Sequence, residues 1–211
     1  AYFNRLAKQA LQSKKNLVFV VTMVLGCFWV TSPANAIPSL QLDILNGTYD
    51  AGTETIVATS SSFTLYAYLI PDSSAPLADT YYISAAIAPA VVPSGVNLGS
   101  FSLDGTDYDV TADMIYGTPP ADTALAGQDA DPGDLPAHGI FPTYFLEQGF
   151  QFDSGNQSQA YNTADLTGSG PSPYSSGPIM YYQSFAIDTT NLDMDYVLHF
   201  DLYNTEENDL Y

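Results

Sequence analysis

Residues 63–69, FTLYAYL, alternate with a period of two: Phe63, Leu65, Ala67 and Leu69 fall on one side, Tyr66 and Tyr68 on the other. Side chains of a strand point to opposite faces in turn, so this pattern describes a strand with an apolar face toward a core. The same reading extends outward in both directions. Upstream, Leu40, Leu42 and Ile44 alternate with Gln41 and Asp43, and Asn46-Gly47 follows as a favoured hairpin pair. Downstream, residues 81–88 form a strand ended by Pro89 and Pro93, and residues 101–110 a hairpin folded about Asp104-Gly105. Residues 141–152, 181–187 and 196–203 complete the set; the last places Val197, His199, Asp201 and Tyr203 against Tyr196, Leu198, Phe200 and Leu202. No window after residue 36 carries a capped helical stripe. Short strands separated by Gly, Pro and Asp turns predict an all-β fold, an antiparallel β-sandwich of jelly-roll or Ig-like type. Two long connections, 117–139 and 155–177, stand out as places where loops carry function.

The first 36 residues read differently. Arg5, Lys8, Lys14 and Lys15 precede an uncharged apolar run from Leu17 to Val30, and Ala34-Asn35-Ala36 follows it. A bilayer-spanning helix needs about 20 apolar residues, more than this run supplies. A basic segment, a short apolar helix and an A-x-A site make a secretory signal peptide cleaved after Ala36, with Ala34 and Ala36 as the residues read by signal peptidase. The domain plan is therefore a helical signal peptide over 1–36 and one β-sandwich domain over 37–211. The chain starts at Ala1 and stops in mid-pattern at Tyr211, so the domain is expected to be truncated at its C-terminal end.

Cleavage changes the chemistry. All four basic residues lie at or before Lys15, all 23 acidic residues at or after Asp43, and the one cysteine is Cys27. Residues 37–211 thus contain no Lys, Arg or Cys and carry 23 formal negative charges. Without basic side chains such a chain cannot neutralise phosphates, so nucleic acid is excluded as a partner. Schiff-base chemistry, thiol catalysis, disulfides and thiolate-bound metals are excluded on the same inventory. Every carboxylate must be solvated, hydrogen-bonded, protonated or bound to a cation. Nineteen of the acids are Asp and four are Glu, and Asp prefers turns. A 46% apolar content argues against disorder, and a domain of this length buries roughly 70% of its unfolded surface.

Asp129, Asp131 and Asp134 place three carboxylates in one short loop, which makes them candidate calcium ligands, although the spacing is not that of an EF-hand. Asp104, Asp107, Asp109 and Asp113 read as a turn and an exposed strand face. His138 and His199 are candidates for acid–base or metal work, but two histidines without a third ligand also describe hydrogen-bonded packing. Ser169 in TGSGPS lacks the spacing of a nucleophile elbow. A pair of carboxylates for glycoside hydrolysis is compatible with so acidic a chain, and its tyrosines suit either sugar stacking or cross-strand packing.

Three segments carry a family resemblance: PSLQLDILNGTYDAGTETIVATSSSFTLYAYL (38–69), LPAHGIFPTYFLEQGFQF (135–152) and FAIDTTNLDMDYVLHFDLYN (185–204). In this order they resemble the choice-of-anchor N proteins over most of residues 38–204. The resemblance implies an exported bacterial protein of the cell surface or extracellular matrix whose molecular activity is uncharacterised; the reading taken is of a non-enzymatic domain in a setting of matrix polysaccharide. It also implies a C-terminal sorting signal, commonly of the PEP-CTERM type, handled by an exosortase-type enzyme; that segment is not within these 211 residues. The other function class consistent with the residues is a secreted carbohydrate-binding or glycoside-active β-sandwich.

Overall fold

The computed structural model describes residues 37–53, 55–118 and 141–204. The segment expected to be a signal peptide, with Ala34 and Ala36, lies outside the described residues, as do Asp129, Asp131, Asp134 and His138. Twelve strands follow one another: β1 (Leu40–Ile44), β2 (Thr48–Asp50), β3 (Thr55–Val57), β4 (Ser62–Leu69), β5 (Tyr81–Ala88), β6 (Ser100–Leu103), β7 (Thr106–Asp109), β8 (Ile115–Gly117), β9 (Thr143–Phe150), β10 (Gln157–Gln159), β11 (Ile179–Asp188) and β12 (Val197–Asn204). There is no helix among the described residues, and every strand pair is antiparallel.

The strands form two main sheets. The first runs β1-β4-β11-β6-β7, with β10 also on β11; the second runs β12-β5-β9-β8; β2 and β3 make a separate ribbon. The sheets face each other as a sandwich. Leu65, Leu69, Phe101, Phe185 and Ile187 of the first meet Ile83, Ala85, Ile87 and Tyr144 of the second in one core. Rings cross the gap: Phe150 and Phe185 have centroids 5.2 Å apart, and Phe63 and Phe200 lie 6.3 Å apart, both edge-on. The all-β expectation holds, and so do the faces assigned to residues 63–69 and 196–203.

The Asp104-Gly105 turn is where alternation placed it. Leu103 pairs with Thr106, and both turn residues have positive φ (50° and 77°), as a two-residue hairpin loop requires. The Asn46-Gly47 hairpin is corrected. A tight turn is present, with Asn46 at φ 60° and the Gly47 N–H donating to the Ile44 carbonyl at 2.7 Å. Yet β1 pairs with β4, and β2 with β3. The reason is burial: against β4, Leu40, Leu42 and Ile44 join the core face, whereas all three residues of β2 are exposed.

One glycine is a structural necessity. Gly99 has φ 89°, and a Cβ there would lie 2.4 Å from the Asn191 carbonyl oxygen and 2.6 Å from the Asp193 nitrogen. It bridges to Leu192, tying the start of β6 to the β11–β12 connection. Gly99→Ala is expected to cost about 3 kcal/mol from left-handed backbone strain plus overpacking. Urea denaturation checks this; a loss below about 1 kcal/mol would show that the two backbones separate freely.

Candidate functional site

Two polar clusters sit on the outward faces of the sheets. On the first sheet, Gln41 and Asp43 of β1 share a face with Tyr66 and Tyr68 of β4 and Tyr182 of β11. Alternation makes this a solvent face, yet Asp43 and Tyr68 are 0% exposed. The cover is the chain around residues 161–170. Asp43 Oδ1 accepts hydrogen bonds from the Ile44 N–H (2.9 Å) and the Gly168 N–H (2.8 Å), and Oδ2 accepts from the Tyr161 hydroxyl (3.2 Å). The Tyr161 hydroxyl also lies 2.9 Å from that of Tyr68, and the Thr163 N–H donates to Gln41 Oε1 at 2.9 Å. Burial pushes the Asp43 carboxyl above the usual carboxylate range, and its hydrogen bonds oppose that shift without cancelling it. Burial likewise raises Tyr68, Tyr161 and Tyr66, so their hydroxyls stay protonated as donors. The cluster is a clamp holding a long loop to a sheet.

On the second sheet, the outward face carries His199, Asp201 and Tyr203 of β12, Tyr82, Ser84 and Ala86 of β5, and Phe145 and Glu147 of β9. Register places Asp201 and Glu147 directly across Ser84 on either side. Their backbones are therefore two strand spacings, about 9.6 Å, apart. Tyr203 stacks on Tyr82 (6.0 Å between centroids) and reaches across β5 to donate to Glu147 Oε2 at 2.5 Å. His199 Nε2 lies 3.2 Å from Asp201 Oδ1. The hydroxyl of Ser84 is fully buried and has no hydrogen-bond partner among the described residues. Serine, histidine and two carboxylates thus share one face, but among the described residues no base is hydrogen-bonded to Ser84, as nucleophile activation would use.

The hydrogen bond that the His199 imidazolium donates to Asp201 raises it above its ordinary range, partly offset by burial. A raised histidine contributes stability that is complete below about pH 6.5, its unfolded value, and is lost as pH rises through the higher folded value. In an NMR titration His199 is expected to titrate above its unfolded value and to fall in Asp201→Asn; an unchanged midpoint in that variant would show that Asp201 does not hold the proton.

Of the other residues singled out in the sequence, Asp104 Oδ1 accepts from the Ala186 N–H (2.8 Å), and Asp113 Oδ2 from the Asp109 N–H (2.8 Å). They serve the backbone of turns and strands. Among the described residues no group of three or more His, Cys, Asp or Glu is arranged to hold a metal ion. Ser84 and Glu147 were not singled out in advance. The signal for Ser84 was the near-continuous apolar run YYISAAIA, which marks a strand covered on both faces. Comparisons with family models, curated proteins and solved structures found no match to this chain.

Proposed function

We propose that this chain is an exported, non-enzymatic β-sandwich of a bacterial cell surface or extracellular matrix, in which the carboxylates serve the fold. The observation that carries the non-enzymatic part is where the aspartates point. Asp50, Asp153, Asp188 and Asp193 each accept the N–H two residues on, at 2.8 to 3.1 Å. Asp72 accepts from the N–H groups of Ser74 and Ala75. With no Lys or Arg after residue 15, backbone N–H groups take the role of counter-charge, and Asp reaches them where Glu is too long. Hydrogen bonds from Ser39, Ala75 and Ser74 hold the Asp72 carboxyl down to about 2.

Export and sorting rest on the signal-peptide pattern and the family resemblance. Signal peptidase and an exosortase-type enzyme are the processing partners, and matrix polysaccharide is the setting. Protease shaving of intact cells tests this placement: loss of the protein from intact cells supports it, and full protection overturns it. If the 129–134 loop binds calcium, millimolar calcium raises the melting temperature and chelator restores it, because a ligand of the native state alone stabilises it. An equal shift with simple salt would assign the effect to screening of the negative charge.

One observation favours a second reading, a carbohydrate-active domain. Glu147 and Asp201 flank Ser84 on one face beside the stacked Tyr82 and Tyr203, and a facing pair of carboxylates is what glycoside hydrolysis uses. Polysaccharide hydrolysis assays and a glycan array separate the readings. Turnover that Glu147→Gln abolishes would replace the first with the second.

A further inference from the structure

Residues 37–211 contain no Cys and no Trp, so methionine sulfur is the most readily oxidised group left to them. There are three such sulfurs, in Met114, Met180 and Met194. The fold treats them differently. Met114 is 6% exposed and belongs to the core between the sheets. Met180 is 0% exposed, and its sulfur lies 3.8 Å from Gln41 Nε2. Met194 is 93% exposed, more than any other large apolar side chain among the described residues.

That exposure is not the fraying of a loose loop. Met194 sits in the connection from β11 to β12, which is tied down on both sides of it. The Asp193 N–H donates to the Leu98 carbonyl (3.0 Å), the Tyr196 N–H to the Asp193 carbonyl (3.0 Å), and the Asp195 N–H to Asp193 Oδ1 (3.1 Å). Leu192, next in line, bridges to Gly99 and packs against the core. Backbone bonds therefore turn the chain at 193–196 and hold the Met194 side chain in water. A side chain so placed stabilises nothing by burial, so a change of its chemistry costs the fold nothing.

We propose that Met194 is the oxidation site of this domain and takes neutral two-electron oxidants of the hydroperoxide class. Its sulfur lone pair attacks one oxygen of hydrogen peroxide; the S–O bond forms as the O–O bond breaks. The departing hydroxide takes the proton from the sulfur-bound oxygen, which leaves sulfoxide and water. Sulfur is oxidised by two electrons and the peroxide is reduced by two. Positive charge develops on sulfur during the attack, and the flanking Asp193 and Asp195 favour it. The 23 negative charges of residues 37–211 turn anionic oxidants away. The product replaces an apolar tip beside exposed Val197 with a polar one, and sulfoxide is a reversible state of methionine. The domain thus takes up an oxidising equivalent without unfolding. This inference goes beyond the surface-protein reading and does not depend on it.

The test treats the full chain, with Cys27 alkylated beforehand, with hydrogen peroxide and follows sulfoxide at each methionine by mass spectrometry. Digestion uses a protease that cuts at acidic residues, since no Lys or Arg follows residue 15. Met194 is expected to oxidise at least about tenfold faster than Met114 or Met180, whose reaction waits on opening of the fold. In urea that unfolds the chain the three rates should converge. Protein oxidised at Met194 alone should melt within about 2 °C of the untreated protein, as should Met194→Leu. Equal rates at the three methionines in the folded protein would overturn the proposal. A melting temperature that falls by several degrees on oxidation of Met194 alone would overturn it too, because the side chain would then be part of the packing.

Discussion

Replacing Asp43 by alanine is expected to lower stability by about 3 kcal/mol, because it strips the acceptor from one buried and one half-buried backbone donor at once. The Ile44 and Gly168 N–H groups lose their partner, while Tyr161 keeps contacts with Tyr68 and the Gly170 carbonyl. At about 2–4 °C per kcal/mol for a domain of this size, the melting temperature falls by roughly 10 °C. Asp43→Asn retains an oxygen acceptor and sheds a buried charge, so it should cost about 1 kcal/mol. The pair of variants also tests the titration. Because burial raises the Asp43 carboxyl, the native state holds its proton more tightly than the unfolded chain. Stability from this group is therefore greatest near and below about pH 4, its unfolded value, and declines as pH rises through the folded value. Asp72 and Asp188 are shifted down and have the opposite sign: their contribution is present at neutral pH and lost as pH falls. Subtracting the Asp43→Asn profile from that of the parent isolates the first effect. A difference that does not change between pH 4 and 7 would show that Asp43 is not desolvated. An alanine variant as stable as the parent would show that the 161–170 loop is held elsewhere.

That cluster also shows what the sequence makes legible and what it does not. The faces of β4 and β12 and the Asp104-Gly105 hairpin follow from alternation and turn chemistry, which are local. The pairing of β1 with β4 is not local, and the Asn46-Gly47 dipeptide argued for a neighbour that burial overrules. Asp43 sits on the nominal solvent side of an alternating strand, and what buries it arrives from 118 positions later in the chain. Tyr66 and Tyr68 on that same nominal face were the available hint, since paired aromatics on an outward face tend to be covered. The second sheet is similar. His199 and Asp201 were visible as alternate residues of one strand, but their alignment with Ser84 and Glu147 depends on a register spanning three strands. The acidic composition, by contrast, was legible in kind: an excess of Asp over Glu announced turn capping, and the turns of the structure use it so.

Phe185→Ala is expected to be of similar size, about 3–5 kcal/mol, from lost burial and an unfilled cavity. Phe185 is 2% exposed, pairs in register with Leu65, and packs its ring edge-on against Phe150 of the opposite sheet. Its strand is the hub of the first sheet, bonded to β4 on one side and to β6 and β10 on the other. The chain after residue 36 has no disulfide and no Lys or Arg salt bridge to share the load, so apolar packing between the sheets carries an unusual fraction of the stability. Ser184, one residue away, is exposed, and its replacement by alanine should stay within about 0.5 kcal/mol. A double-mutant cycle between Phe150 and Phe185 should return about 0.5–1.5 kcal/mol of coupling from the ring contact. Equal losses at positions 184 and 185 would mean that β11 does not present one face to the core, and a zero coupling would mean that the sheets do not meet at these rings. A steep cost at 185, none at 184 and measurable coupling to 150 would together establish both the register of the central strand and the face on which the sandwich closes.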